Sequence, residues 1–210
     1  MNMSHCCRRS VLAATTALFL GAALPARADD EDAVIAPIQQ LIDSLLQIMK
    51  AGPGASFSKR FDMLAPTIDR TFDLAAILEE SVGAIWATLP PDQQTTLAQA
   101  FRRYTVATYV NSFVGFNGQQ FVVSPTTRAV GSQQVVQTQI IPKSGETHEL
   151  DYVMREGRSG WRAVDVLADG SISRVAVQRS DFRRLLARGG APALIKSLRS
   201  KSTNLSGGSS

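Results

Sequence analysis

The chain has 210 residues, 44% hydrophobic and 19% charged, which is the balance of one folded domain and excludes both a disordered chain and a disulfide-dense miniature. Lysine and arginine outnumber aspartate and glutamate by 22 to 18. The only cysteines, Cys6 and Cys7, lie in the first ten residues, so the body of the chain holds no thiol for a disulfide, a metal site or a nucleophile.

Residues 1–28 read as a cleaved signal peptide. Arg8 and Arg9 form a positive start, Val11 to Leu24 an apolar run, and Ala26-Arg27-Ala28 a small-residue cleavage site. The run falls short of the roughly twenty residues a spanning helix needs. The paired arginines leave both the general secretory and the twin-arginine routes open. Removing residues 1–28 takes three arginines with it and leaves 19 basic against 18 acidic side chains. What remains is a polarity, acidic from Asp29 to Phe101 and basic from Arg155 to Lys201, which suits anionic head groups or acidic partners as well as ordinary solvated faces. Nucleic acid is disfavoured, because basic residues are not interleaved with aromatics.

The first half carries helical periodicity. Ile38, Leu41, Ile42, Leu45, Leu46 and Met49 keep one face, and Gly52-Pro53-Gly54 ends that helix. Phe61 to Ile68 adds a short turn. Asp73 is placed to cap a second stripe, Leu74, Ile77, Leu78, Val82, Ile85 and Trp86. Pro90-Pro91-Asp92 opens a long third helix with Leu97, Phe101, Tyr104, Tyr109 and Phe113 inward.

After Gly118 the period changes to two. Residues 119–130, 133–141, 147–154 and 161–167 read as four strands joined by glycine-containing turns, hence an antiparallel meander. Apolar residues on both faces of several strands indicate cover on more than one side. Residues 172–187 and 191–200 read as closing helices separated by Gly189-Gly190, and residues 202–210 as a disordered tail. The fold class expected is α+β, with residues 29–201 as a single domain.

No nucleophile elbow, phosphate loop, paired-histidine zinc motif or dinucleotide glycine pattern is present, so no catalytic residue, metal or cofactor is assigned. His148 reads as a surface or pairing residue. Asp165, at a strand end, reads either as a general acid or base in an apolar cavity or as an acceptor of hydrogen bonds at the turn through Gly170, or a partner of Arg179. Glu79 and Glu80 receive no role.

Trp161, Val164, Asp165, Val166, Gly170, Arg179 and Phe182 together resemble the C-terminal signature of one family of lipid carriers. Asp73-Leu-Ala, Val82-Gly83-x-x-Trp86, Leu89-Pro-Pro-Asp-Gln93, Phe101, Thr108-Tyr109 and the close through Gly189-Gly190, Leu194-Ile195 and Leu198 are similar to the rest of it, in order, over about residues 33–201. The family is the periplasmic phospholipid-binding component of the Mla pathway, also called the toluene-tolerance auxiliary family. At Ala168-Asp-Gly-Ser-Ile-Ser-Arg174 the chain looks closer to the hopanoid-associated HpnM branch.

The resemblance implies a fold related to the NTF2-like cone, with N-terminal helices on the meander and an apolar pocket for lipid. It implies a periplasmic, non-enzymatic shuttle of phospholipid or hopanoid between an outer-membrane lipoprotein complex and an inner-membrane ABC transporter complex. The lining expected is Val82, Trp86, Phe101, Tyr109, Phe113, Phe121, Tyr152, Val164 and Val166, each of which is equally readable as core; Arg174 or Arg179 would meet a polar head. Two other readings stay open: a small enzyme using Asp165, and an adaptor binding protein through the basic C-terminal helices around Arg183 and Arg184.

Overall fold

The computed structural model describes residues 26–207, so the expected signal peptide, except its last three residues, lies outside the described residues. The chain opens with α1 (Ala26–Ala51), whose stripe from Val34 to Met49 is buried, and a 3-10 turn at Gly52–Gly54 ends it. Ser56 then accepts a hydrogen bond from the Lys59 amide and starts α2 (Phe57–Thr71). The short turn expected at residues 61–68 is therefore a full helix. Its apolar face (Leu64, Ala65, Ile68) is narrow, and Pro66 within it masks the period.

Asp73 caps α3 (Leu74–Val82) as expected, accepting from the Ala76 amide at 3.0 Å. Gly83 ends α3 with φ 73° and ψ −151°, a conformation that only glycine adopts cheaply, and a 3-10 turn to Thr88 carries Trp86. Pro91 opens α4 (Pro91–Ser112), where its missing amide costs nothing. The helix buries Leu97, Ala100, Phe101, Val106, Ala107 and Val110.

Five strands follow: β1 (Gln120–Val130), β2 (Gln133–Ile141), β3 (His148–Gly157), β4 (Gly160–Ala168) and β5 (Ile172–Ser173). They form one antiparallel sheet in chain order. The four-stranded meander expected is thus extended by a two-residue strand, in which Ile172 pairs with Ala168 and Ser173 with Leu167. Two residues are too few to carry a period, and Ile172 accordingly belongs to a strand and not to the helix after it. The β1–β2 register shifts between Val123 and Thr127, and the β3–β4 register shifts at Val153.

The last element, α5 (Arg174–Gly207), is broken at Gly189 and Gly190, the second with φ 63°. This is the glycine break read from the sequence. Residues 202–207, expected to be disordered, continue the helix: Ser202 is 1% exposed and its hydroxyl donates to the Leu198 carbonyl. The apolar face of Leu194, Ile195 and Leu198 carries this far because the small Ser202 extends it by one more turn. Helix α1 packs on α2 and touches β1, β2 and β4, while α4 packs on α5, α2 and α3. One core joins them, reaching from Ile38 through Phe101 and Tyr152 to Leu198. Among the described residues no helix is long and apolar enough to cross a membrane.

Candidate functional site: an apolar cavity between the helices and the sheet

Between α3, α4, α5 and the inner face of the sheet lies a cavity of about 330 Å³. Its walls are Phe72, Leu74 and Ile77 on one side, Phe101 and Tyr109 from α4 with Phe113 just past its end, and Leu150 and Val166 from the sheet. Register explains the sheet's contribution. Leu150 faces Ala168 and Tyr152 faces Val166 across the β3–β4 ladder, so the alternate residues of both strands share the helix-facing side.

A second pocket of about 580 Å³ adjoins it and shares Ser112, Phe113, Leu150 and Ala168 as a common wall. It is bounded by Met49, Phe121 and Ile140, with His148, Glu149 and Asp169 at its polar edge. Phe113 is the partition. Its ring lies 6.1 Å from Tyr109, stacked at 15°, and 6.1 Å from Phe121.

The surface near these cavities is apolar where solvent-exposed side chains are usually polar. Ile172 is 51% and Val177 44% exposed, on either side of Arg174 in sequence, while Val114 and Phe116 are exposed in the loop after α4. Arg174 lines the first cavity, and none of the ion pairs among the described residues involves it. Lys50 stands 5.6 Å from the centre of the Phe116 ring.

Of the lining residues expected from sequence, Phe101, Tyr109, Phe113 and Val166 line the first cavity and Phe113 and Phe121 the second. Tyr152 lies behind the wall, 2% exposed, with its ring against Phe72. Val82 is buried in the core and Trp86 packs at its margin. Val164 falls at the β3–β4 register shift, and it lines neither cavity. Extra residues at such a shift lose the in–out alternation on which the expectation rested.

The two arginines separate. Arg174 reaches the cavity, but Arg179 is tied by a 2.7 Å ion pair to Glu80 and packs beside Gly83, where an added Cβ would stand 3.5 Å from its guanidinium. Glu80, given no role from sequence, is thus the anchor of that arginine.

Asp165 neither pairs with Arg179 nor accepts from the turn at Gly170. One carboxylate oxygen accepts from the Val166 amide at 2.7 Å and the Val175 amide at 3.0 Å, and the other from the Ser173 hydroxyl. Ser173 in turn accepts from the Ala176 amide at 2.9 Å. The pair holds the start of α5 against β4, with a negative charge at the positive helix end.

The aromatic wall also holds two phenols. Burial, followed by the influence of the Tyr152 hydroxyl, pushes the Tyr109 pKa well up, and burial does the same to Tyr152. Both are neutral donors throughout the ordinary pH range. Sequence reasoning missed Thr105, Thr108, Ser112 and Gln178, which also line the first cavity. Phe101, Thr105, Thr108 and Ser112 recur at i, i+4, i+7 and i+11, one stripe of α4 that turns from apolar to polar, and that stripe was the available signal.

Comparison with known proteins agrees with this architecture. No curated protein matches the chain. Among solved structures, the phospholipid-binding protein from Ralstonia solanacearum, determined in complex with a phospholipid, superposes with a TM-score of 0.71. The two are 22% identical over 82% of this chain and 98% of that one, a likeness of fold. The family model of the MlaC protein matches residues 39–200, nearly the whole of the described domain. The chain, with its helix-covered meander and apolar cavity, belongs to the MlaC protein family.

Proposed function

We propose that this protein is a periplasmic lipid carrier, a binding protein and not an enzyme, that takes phospholipid or hopanoid into the cavity between α4, α5 and the sheet. The observation that carries the reading is the apolar cavity between the helices and the sheet, which a second pocket adjoins across Phe113. Membership of the MlaC family and the phospholipid bound in the Ralstonia protein of the same fold support it. The signal-peptide pattern of residues 1–28 supports the compartment.

Each methylene withdrawn from water contributes roughly 0.8 kcal/mol, so a single long acyl chain supplies on the order of 10 kcal/mol before ordering costs. Such a ligand leaves into water extremely slowly. Useful delivery therefore calls for docking, so that the chain passes from one apolar site to another. The exposed Ile172, Val177, Val114 and Phe116 fit a docking rim, and Arg174 fits a phosphate. The partners in this reading are an outer-membrane lipoprotein complex and an inner-membrane ABC transporter complex.

Asp165 lines the cavity, but three hydrogen bonds hold its carboxylate at the start of α5, which disfavours the small-enzyme reading. The test is native mass spectrometry of protein purified from the periplasm, with extraction of what it carries. Stoichiometric phospholipid or hopanoid is expected, lost in Val166→Trp, where the larger ring fills the cavity. A protein that stays empty after incubation with both lipid classes would sink the proposal and shift the weight to the adaptor.

A further inference from the structure

The two phenols behind the cavity wall pose a counting problem. Tyr109, on α4, lines the first cavity; Tyr152, on β3, lies behind it at 2% exposure. Both rings lean on Phe72, with centroid separations of 5.5 and 6.2 Å, and the two hydroxyls hydrogen-bond one another. Two hydroxyls bonded to each other use one proton and leave one. No acceptor for that second proton is found among the described residues, and the neighbours are Phe72, Phe101, Phe113 and Val166, which have none to give.

A buried donor left without an acceptor costs roughly 1–3 kcal/mol. A wall built only to hold alkyl chains would place phenylalanine at both positions. Close by stands Arg174, lining the same cavity and near enough for its charge to act on Tyr109. A cation and a phenolic donor within reach of each other in one cavity match a phosphate and an ester joined through one glycerol.

We propose that the Tyr109–Tyr152 pair is a cargo-selecting device: Tyr152 donates to the Tyr109 Oη, and Tyr109 donates its own proton to one ester carbonyl oxygen of a diacyl glycerophospholipid. Tyr109 is the contact and Tyr152 the positioning residue. This rests on the carrier reading and narrows it, since an ether-linked lipid or a hydrocarbon-ring hopanoid offers no ester carbonyl at that place.

The experiment is competitive loading of delipidated protein from vesicles containing ester-linked phosphatidylglycerol and its ether-linked analogue of equal chain length, read by native mass spectrometry. Wild type takes the ester lipid about tenfold over the ether lipid, the worth of one net hydrogen bond. Tyr109→Phe brings that ratio close to one by losing ester lipid alone, and Tyr152→Phe falls between, both variants keeping their thermal midpoints within a few degrees. Equal uptake of the two lipids by wild type overturns the inference without recourse to any variant, as does a preference that survives Tyr109→Phe. Uptake of neither lipid, with or without a hopanoid arm, removes the carrier reading itself. Uptake of both at equal levels removes only the selection.

Discussion

The Arg60 side chain of α2 reaches the end of α4, where its Nη1 donates to the Val110 carbonyl at 3.4 Å. Arg60 is 2% exposed, none of the ion pairs among the described residues involves it, and its Nε has no partner there. The last carbonyls of a helix lack intrahelical donors and carry the negative end of its dipole, so the guanidinium meets a partial charge in place of a carboxylate. Arg60→Ala removes that donor and leaves a void beneath α4. A loss of about 3 kcal/mol or more is expected in urea denaturation, and Arg60→Lys, which keeps the charge but not the planar reach, should lose less.

Gly83 permits the close approach of α3 and α5. Its φ of 73° with ψ −151° strains any residue that has a Cβ, and it sits against the Arg179 guanidinium. Gly83→Ala is expected to cost about 1–3 kcal/mol, visible as a lower urea midpoint with an unchanged slope. Glu80→Gln, which removes the ion pair but no backbone freedom, should cost well under 1 kcal/mol because both partners are exposed.

Asp151 is a buried acid on β3, 4% exposed. Burial, and then the neighbouring Glu149 charge, raise its pKa above the ordinary value, although Thr138, Arg128 and Gln137 oppose the shift. A raised pKa in the folded state means that the folded protein binds more protons than the unfolded one, beginning at the ordinary value of 3.8 and extending up to the raised one. Stability contributed by this group is therefore lost as pH rises through that window. Asp151→Asn should leave the melting temperature gaining on wild type as pH climbs above about 4. A difference that stays flat with pH would contradict this.

Phe113 divides the two cavities. Phe113→Ala should join them, with about 2 kcal/mol less stability because the side chain is only partly buried. The enlarged space should admit bulkier cargo, readable as a shift toward heavier lipids in the native mass spectrum.

Much of the fold was legible in the sequence because the periods were clean. Leu41, Leu45 and Met49 could only be one face of a helix, and Val135 to Ile141 between two glycine turns could only be a strand. Helix α2 was hidden by its narrow apolar face, and β5 by its length. The site was less legible, for a different reason. Val82 and Phe101 are both apolar residues facing inward, and whether one meets a neighbour or a void depends on the spacing between elements, which no local pattern records. The turn chemistry near Asp165 could be foreseen as structural, but its partners Ser173 and Val175 could not, since they depend on how β5 folds back.

Strand β1 lies at the edge of the sheet, with Val122 and Val130 exposed on it. Its register break between Val123 and Thr127 contains Pro125, which has no amide proton, so the free donors along that edge fall into two short runs. At the far side, the short β5 and the parallel bridge of Phe72 to Ala163 occupy β4. Neither flank offers a long, regular template to another chain. A protein that leaves Ile172, Val177, Val114 and Phe116 exposed is thereby guarded against stacking into aggregates through its own sheet.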